Sequence, residues 1–208
     1  MTQPFIHLRA RSAYSLLQSA VQVKDLVKLA AKHGMPALGV TDANNLFGAL
    51  EFSEAAAEAG VQPIIGVSLH VKGEEGLDGA IALIAQNPDG YANLMKLSSA
   101  AFLDVGANDE AHVPLARVLA DTKGLIALTG GGGGPLAQMI DDGRAEVARS
   151  VLKQLATAFP NRLYVELQRH NERIEAGSEG PLMECAYELG LPLVASNDIR
   201  FKTRKDHD

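Results

Sequence analysis

The side chains that could do chemistry in this sequence fall at the predicted ends of short apolar segments. They are His7, Arg9, Arg11, Asp42, Ser68, His170, Asp198 and Arg200. A hydrolytic metal site needs several His, Asp or Glu donors that converge on one point. Arginine cannot serve, because a guanidinium is always protonated and has no lone pair to give a metal ion. The set is therefore poor in metal donors and rich in positive charge.

The spacing of the arginines predicts a shared pocket. Alternation along an extended segment places Arg9 and Arg11 on one side, and it also places Asp198 and Arg200 on one side. One pocket could then gather three cations and one anion. The pattern favours a network of Arg–Asp ion pairs at the site mouth. An alternative is an anion-binding pocket, in which Arg9, Arg11 and Arg200 hold phosphate or pyrophosphate.

The remaining polar residues favour structural roles, and one further alternative stays open. We expect His7 to pack within a strand or to make a local hydrogen bond. We expect Asp42 to cap the helix that follows it or to fix its turn, and His170 to be structural. The alternative is an active metallohydrolase that uses Asp42, His170 and Asp198.

Length and composition indicate one globular domain. The chain has 208 residues, of which 47% are hydrophobic and 21% charged, values typical of a soluble protein with a sizeable core. The single cysteine, Cys185, excludes a disulfide framework and any Cys-based zinc site, and it favours a reducing cytoplasm. Because Cys185 lies in a helical pattern, we expect it to be a buried small apolar residue.

Charge and hydropathy predict neither a membrane span nor independent binding to DNA. No stretch approaches the roughly 20 apolar residues that span a bilayer, and the N-terminus lacks the apolar run of a signal peptide. The net charge is −6, and the only dense basic run is 202–205. A domain that grips DNA by itself usually carries a basic stripe. The chain stops in charged residues, which indicates a piece of something longer.

Strand-like and helix-like segments alternate along the chain. The predicted strands are Phe5–Arg9, Ala37–Asp42, Pro63–Val71, Ala80–Gln86, Leu125–Gly130, Leu163–Gln168 and Pro192–Asn197. The predicted helices are Val23–His33, Leu50–Glu58, Tyr91–Ala101, Leu136–Ile140, Glu146–Ala158 and Pro181–Leu189. Most of the strands are apolar throughout, which is typical of parallel strands covered on both faces.

A weak internal repeat favours a barrel. The segments KHGMPALGVTD, EAGVQPIIGVS and ELGLPLVASND each end a helix with Gly, turn through Pro and run into a short apolar strand. Repeated βα units of this kind predict parallel strands joined by right-handed crossovers. About seven strands, with polar residues gathered at their carboxyl ends, favour a barrel with its chemistry at that end.

Two further segments carry no catalytic motif. The run Gly130–Gly134 is predicted to be a loop after a strand. It does not fit a phosphate-binding loop, since no Gly-Lys-Ser/Thr follows and Pro135 is predicted to open a helix. Asp104–Pro114 is predicted to be an irregular surface loop.

The order and content of several runs resemble a known family. The runs are FIHLRARSAYSLL, MPALGVTDANNLFGALEF, VQPIIGVSLHV, ALIAQNPDGYANLMKLSS, KGLIALTGG and GLPLVASNDIRF. Together they are similar to the PHP (polymerase and histidinol phosphatase) domain at the amino terminus of the bacterial replicative DNA polymerase III alpha subunit. The resemblance implies an α/β fold, a distorted (β/α)₇ TIM-like barrel. It also implies that residues 1–208 form one domain at the N-terminal end of a larger polymerase.

The same resemblance implies a dismantled metal site. Metal-binding members of the family place ligands at positions that here are Arg9, Arg11, Gln18, Ala43, Ser68, Ala80, Gly131, Asp198 and Arg200. Only Asp198 could still ligate a metal, and the assignment of Gly131 within its glycine run is the weakest. The arginines are interpreted as permanent replacements for the lost metal charge, with Asp198 as their counter-ion.

The resemblance also implies a function and partners. We expect a catalytically inactive structural and docking module without a cofactor. It would support the polymerase core and the proofreading exonuclease (epsilon) subunit, and it would meet DNA only through the full-length polymerase. The alternative is a metal-dependent phosphoesterase, or a 3′–5′ exonuclease or pyrophosphatase, at the barrel mouth.

Overall fold

The computed structural model describes residues 5–203 and residue 206. The helices are α1 Val23–Lys32, α2 Ala49–Glu58, α3 Pro88–Leu103, α4 Leu115–Ala120, α5 Pro135–Asp141, α6 Ala145–Ala158 and α7 Arg173–Glu188. The strands are β1 Ala37–Ala43, β2 Gln62–Lys72, β3 Asp78–Ala85, β4 Val113–Pro114, β5 Leu125–Leu128, β6 Leu163–Leu167 and β7 Leu193–Ala195. Part of the basic run 202–205 lies outside the described residues.

One mixed sheet organises these elements. Its strand order is β1-β2-β3-β5-β6-β7, and β4 pairs with β2. The pairs β1/β2, β5/β6 and β6/β7 are parallel, as the repeat predicts, but β3 is antiparallel to both β2 and β5. The prediction of parallel strands throughout is therefore wrong at β3. Only the short segment 73–77 joins β2 to β3, which suits a hairpin and is too short for a crossover helix.

The predicted first strand, Phe5–Arg9, is not formed as a strand. The amide of Gly39 donates to the carbonyl of His7 (2.7 Å), whereas the carbonyl of Gly39 accepts from the amide of Ala10 (3.1 Å). In a regular parallel ladder the carbonyl of Gly39 would accept from residue 9, not from residue 10. The extra residue is a bulge that interrupts the pairing. What remains are isolated bridges from Ala10 to Val40 on one side and to Ile199 on the other.

As a result, Ala10 and Arg11 form backbone hydrogen bonds with both edges of the sheet. The amide of Arg11 donates to the carbonyl of Ile199 (2.8 Å), and the amide of Thr41 donates to the carbonyl of Ala10 (2.9 Å). The sheet is curled, and the fold is mixed α/β. Residues that follow Ala10 are thereby held near the carboxyl ends of β1 and β7.

Local signals explain most helix boundaries. The Asn87 side chain accepts from the amide of Gly90 (3.0 Å), and Pro88 opens α3. The predicted start of the last helix at Pro181 is wrong, because a capping box of Glu172 and Glu175 starts α7 earlier and Pro181 lies inside it. The predicted loop Asp104–Pro114 ends in β4 and leads directly into α4, two elements too short to show periodicity.

The core lies mainly between the sheet and helices α3 to α7. Its largest cluster includes Leu69, Leu83, Leu97 and Phe159. A second cluster packs α1 and α2 against β1. Cys185 is buried in the first cluster, as expected. Within the described residues, none of the helices is long and apolar enough to cross a bilayer.

Candidate functional site

An open cavity of about 640 Å³ lies at the end of the sheet where the polar residues gather. Its wall includes the predicted site residues Arg9, Arg11, Gln18, Ala80, His170, Asp198 and Arg200. The structure thus brings the three arginines and Asp198 together. Three other predicted positions, Ala43, Ser68 and Gly131, do not line the cavity.

Arg9 forms a buried ion pair that the sequence reasoning missed. Its Nη1 donates to Glu166 Oε2 (3.1 Å) and to the carbonyl of Gly130 (3.2 Å), and its Nη2 donates to Ser68 Oγ (3.0 Å). Arg9 is 2% exposed and Glu166 is 0% exposed. The counter-ion that contacts Arg9 is therefore Glu166, and the prediction that Asp198 alone balances the three arginines is wrong.

Glu166 is held by several donors besides Arg9. It accepts from the amide of Gly130 (3.0 Å), from Gln168 Nε2 (3.3 Å) and from the hydroxyl of Ser196. Its own amide donates to Thr129 Oγ1 (2.9 Å). A signal for this residue exists in the sequence, because Glu166 is the one charged residue in the apolar strand LYVEL. A charge in the middle of a buried strand requires a partner of opposite sign.

Asp198 bridges the other two arginines. Arg11 Nε donates to Asp198 Oδ1 (2.8 Å), and Arg200 Nη2 and Nε donate to Asp198 Oδ2 (2.7 and 3.1 Å). Burial by itself would raise the pKa of the Asp198 carboxyl group. The charges of Arg9, Arg11 and Arg200 outweigh burial and lower this pKa to about 2. Asp198 is therefore ionised at neutral pH, and Arg11 and Arg200 share it as their counter-ion.

Arg11 also contacts Gln18 and Ser68, two of the positions that the resemblance assigns to a lost metal site. It donates from Nη1 to the side-chain oxygen of Gln18 and from Nη2 to Ser68 Oγ (3.4 Å). Burial lowers the pKa of Arg11, and the charge and hydrogen bond of Asp198 act against that shift. The guanidinium of Arg11 thus links the side chains of Gln18, Ser68 and Asp198.

Asp42 has a different role from the predicted one. Its carboxylate accepts from the amide of Ser12 (2.7 Å), from Ser12 Oγ (2.7 Å) and from Ser15 Oγ (2.6 Å). The hydroxyl of Ser15 in turn accepts from the amide of Ala43 (3.0 Å). These donors come from the loop before α1, so Asp42 fixes that loop and does not cap α2.

The two histidines considered above have local roles. His170 Nδ1 contacts Glu175 Oε1 (2.7 Å), and its amide donates to Glu175 Oε2 (2.6 Å), which anchors His170 to the start of α7. The ring of His7 packs edge-on against Phe5 at 4.8 Å. Burial, followed by the nearby charge of His33, lowers the pKa of His7.

These contacts do not fit a metal ion. The carboxylate of Asp42 is saturated by serines outside the cavity wall, and Asp198 is paired with two arginines. The structure therefore does not bring Asp42, His170 and Asp198 together as free donors. Over residues 5–203 and 206, no group of three or more His, Cys, Asp or Glu side chains could hold a metal ion.

Comparison with known proteins identifies the class that this fold and site define. The PHP domain family matches residues 7–170, and the chain belongs to this family. Two solved structures share the fold with a TM-score of 0.60 each. One is a candidate metal-dependent phosphoesterase from Bifidobacterium adolescentis, 15% identical, covering 95% of this chain and 88% of that one. The other is an amidohydrolase from Chromobacterium violaceum with bound sulfate and no metal, 13% identical, covering 94% of this chain and 87% of that one.

Relatives with higher identity are DNA polymerases or their subunits. The chain is 45% identical over 206 residues to DNA polymerase III subunit alpha of Caulobacter vibrioides, covering 96% of this chain and 18% of the relative. It is 36% identical over 208 residues to DNA polymerase III subunit alpha of Rickettsia bellii, covering 100% and 18%. It is 38% identical over 219 residues to an error-prone DNA polymerase of Symbiobacterium thermophilum, covering 97% and 20%. The chain thus spans about a fifth of the length of these relatives.

Proposed function

We propose that this chain is the N-terminal PHP domain of a DNA polymerase III alpha subunit, and that it is a catalytically inactive support and docking module. The observation that carries the proposal is the ion-pair network at the cavity. Arg9 is paired with Glu166 (3.1 Å), and Arg11 and Arg200 are paired with Asp198 (2.8 and 2.7 Å). Cationic side chains stand where metal-binding relatives need electron-pair donors.

Electrostatics argues against a divalent metal at this point. At about 5 Å and an effective dielectric constant of about 20, one guanidinium repels a dication by roughly 6 kcal/mol. Three arginines line the same cavity, and the carboxylate of Asp198 is already shared between two of them. The carboxylates of the cavity wall do not offset this cost, because Asp198 is shared between two arginines, Glu175 is bound to His170 and Glu172 caps α7. We propose that the domain needs no metal cofactor and has no catalytic residues of its own.

The network also supports a barrel that is closed without metal. Ala10 bridges Val40 of β1 on one side and Ile199 after β7 on the other, and the Arg11–Asp198 ion pair joins the segment of Ala10 to that of Ile199. We propose that this seam completes a distorted (β/α)₇ barrel. In this proposal the guanidinium of Arg11 holds the seam together and no metal is needed for it.

The remaining parts of the proposal concern partners. The module would brace the rest of the alpha subunit, in which the polymerase chemistry lies. It would also help to hold the proofreading exonuclease (epsilon) subunit, and it would meet DNA only within the whole polymerase, in the cytoplasm. The similarity to alpha subunits over almost the whole chain supports this assignment.

Two measurements test the proposal. Protein purified without chelators is analysed for transition metals, and its hydrolysis of a 3′-labelled single strand and of a phosphodiester is measured with added zinc or manganese. We expect substoichiometric metal and no hydrolysis above background. Equimolar metal, with hydrolysis lost in Asp198→Ala, would establish the metal-dependent phosphoesterase or exonuclease instead. Sedimentation of the chain mixed with the exonuclease subunit tests docking separately, and we expect a complex.

A second function, anion binding, has one observation in its favour. The solved amidohydrolase of the same fold holds sulfate without a metal. The cavity of this chain is lined by Arg9, Arg11 and Arg200. We propose that it can hold phosphate or pyrophosphate without turning it over. A raised unfolding temperature in phosphate, lost in Arg11→Ala, would support this function, and an unchanged temperature would exclude it.

A further inference from the structure

The donors of the three arginines are unequally available to a ligand. Arg9 is almost completely buried, and its Nη atoms are already used by Glu166, Ser68 and the carbonyl of Gly130. An anion in the cavity would have to break a buried ion pair to reach it. Arg9 is therefore a supporting residue and contributes little to any ligand site.

Arg11 and Arg200 differ from Arg9, because both donate to one carboxylate at the cavity wall, and Arg11 donates in addition to the side-chain oxygen of Gln18. Arg11 donates to Asp198 Oδ1, and Arg200 donates twice to Asp198 Oδ2. The side chain of Arg200 is 43% exposed, and that of Asp198 is 12% exposed. The third contact of Arg11, with Ser68 Oγ at 3.4 Å, is long. Two guanidinium groups thus converge on one small anion at the wall of an open cavity.

A carboxylate that accepts from two guanidinium groups has the same chemistry as an oxyanion such as phosphate. Phosphate offers more acceptor oxygens and more negative charge than one carboxylate, and arginine binds both in bidentate geometry. Resting on the anion-binding function proposed above, we infer that Arg11 and Arg200 form an oxyanion site that Asp198 occupies in cis. Asp198 is then an internal competitor of the ligand.

The cost of displacing Asp198 sets the affinity. Asp198 holds its negative charge firmly among the arginines, so an incoming anion must release a well-stabilised carboxylate. The backbone around Asp198 stays anchored during the exchange, because the amide of Ile199 donates to the carbonyl of Arg9 (3.1 Å) and Ser19 Oγ donates to the carbonyl of Arg200 (3.0 Å). The exchange therefore needs only a rotation of the Asp198 side chain. The natural chain binds phosphate weakly, and removal of the competitor strengthens binding.

The test is calorimetric titration of inorganic phosphate, and then pyrophosphate, at constant ionic strength. Asp198→Asn keeps the size of the side chain and removes its charge, and we expect phosphate to bind about tenfold more tightly than to the natural chain. The matched control is Asp141→Asn. Asp141 also pairs with one exposed arginine, Arg173, but lies outside the cavity wall. Asp141→Asn should leave phosphate affinity unchanged.

The arginine side is tested by a second pair of variants, which also covers a failure of Asp198→Asn to fold. Arg200→Gln should weaken phosphate binding to the natural chain several-fold, whereas Arg173→Gln should not change it. If the natural chain binds phosphate and Asp198→Asn or Arg200→Gln leaves the affinity unchanged, competition by Asp198 is wrong while the anion pocket survives. If no form of the chain binds phosphate, the anion pocket itself is wrong. Neither result bears on the proposed support and docking function, which is tested separately by the metal analysis and by sedimentation with the exonuclease subunit.

Discussion

Replacement of Glu166 by glutamine should destabilise the fold strongly. The change removes the negative charge that faces Arg9 and leaves an uncompensated guanidinium in a site where both side chains are almost fully buried. Breaking such a pair costs about 3 to 5 kcal/mol. For a chain of 208 residues this corresponds to a fall in melting temperature of roughly 10 °C. Urea unfolding followed by circular dichroism measures the loss directly.

The loss of stability in Glu166→Gln depends on the burial of the ion pair, and a variant at an exposed ion pair serves as the control. Glu179 also pairs with an arginine, Arg169, but that arginine is largely exposed. Glu179→Gln should therefore leave the urea midpoint nearly unchanged. A second variant, Arg9→Met combined with Glu166→Gln, removes the stranded charge and should recover part of the loss. A cost below about 1 kcal/mol for Glu166→Gln would refute the reasoning that Glu166 is the buried counter-ion of Arg9.

Three further predictions concern pH and backbone. The pKa of Asp198 is lowered from 3.8 to about 2, so its ionised carboxylate stabilises the fold fully above about pH 4, and this stabilisation is lost between about pH 4 and pH 2. The free energies of unfolding of the natural chain and Asp198→Asn, which differ by about 2 kcal/mol, should therefore approach each other over this range in urea unfolding. Gly130 has φ +99°, and a Cβ there would lie 1.9 Å from the carbonyl oxygen of Ala80. Gly130→Ala should therefore lower the free energy of unfolding by at least about 2 kcal/mol in the same assay. Gly133→Ala, whose new Cβ would meet nothing within 4 Å, should not. Gly177 lies inside α7 with nothing within 4 Å of a new Cβ, so Gly177→Ala should raise stability by about 0.5 to 1 kcal/mol.

Most helices and strands could be predicted from the sequence, but strand pairing that depends on tertiary contacts could not. Apolar periodicity located helices such as α1 and α6 to within a residue or two. The antiparallel direction of β3 was missed, although the predicted strands Pro63–Val71 and Ala80–Gln86 are separated by a segment too short for a crossover helix. The rule of parallel strands, taken from the βα repeat, was extended to a strand that is not part of the repeat. Apolar periodicity could not show that residues 5–9 fail to form a strand, since the bulge between His7 and Ala10 arises from pairing on two sides at once.

The candidate site was predicted in part. Residue type and alternation placed Arg11, Asp198 and Arg200 in one pocket, and the structure brings them there. The partner of Arg9 was missed, because Glu166 lies within a strand and far away in sequence, where spacing carries no information about side-chain pairing. The role of Asp42 was misplaced for a related reason. A carboxylate at a strand end can accept from a loop distant in the sequence as readily as it can cap the helix after it. Only the folded chain places Ser12 and Ser15, from the loop before α1, against Asp42.

The most direct test of the account is a crystal of this chain soaked in manganese chloride, with anomalous diffraction data collected to locate manganese. We expect no anomalous peak in the cavity lined by Arg9, Arg11 and Arg200, and we expect Arg11 and Arg200 to remain on Asp198. A full-occupancy manganese ion coordinated by Asp198 or His170, with the arginines turned away, would contradict the claim that guanidinium groups have replaced the metal.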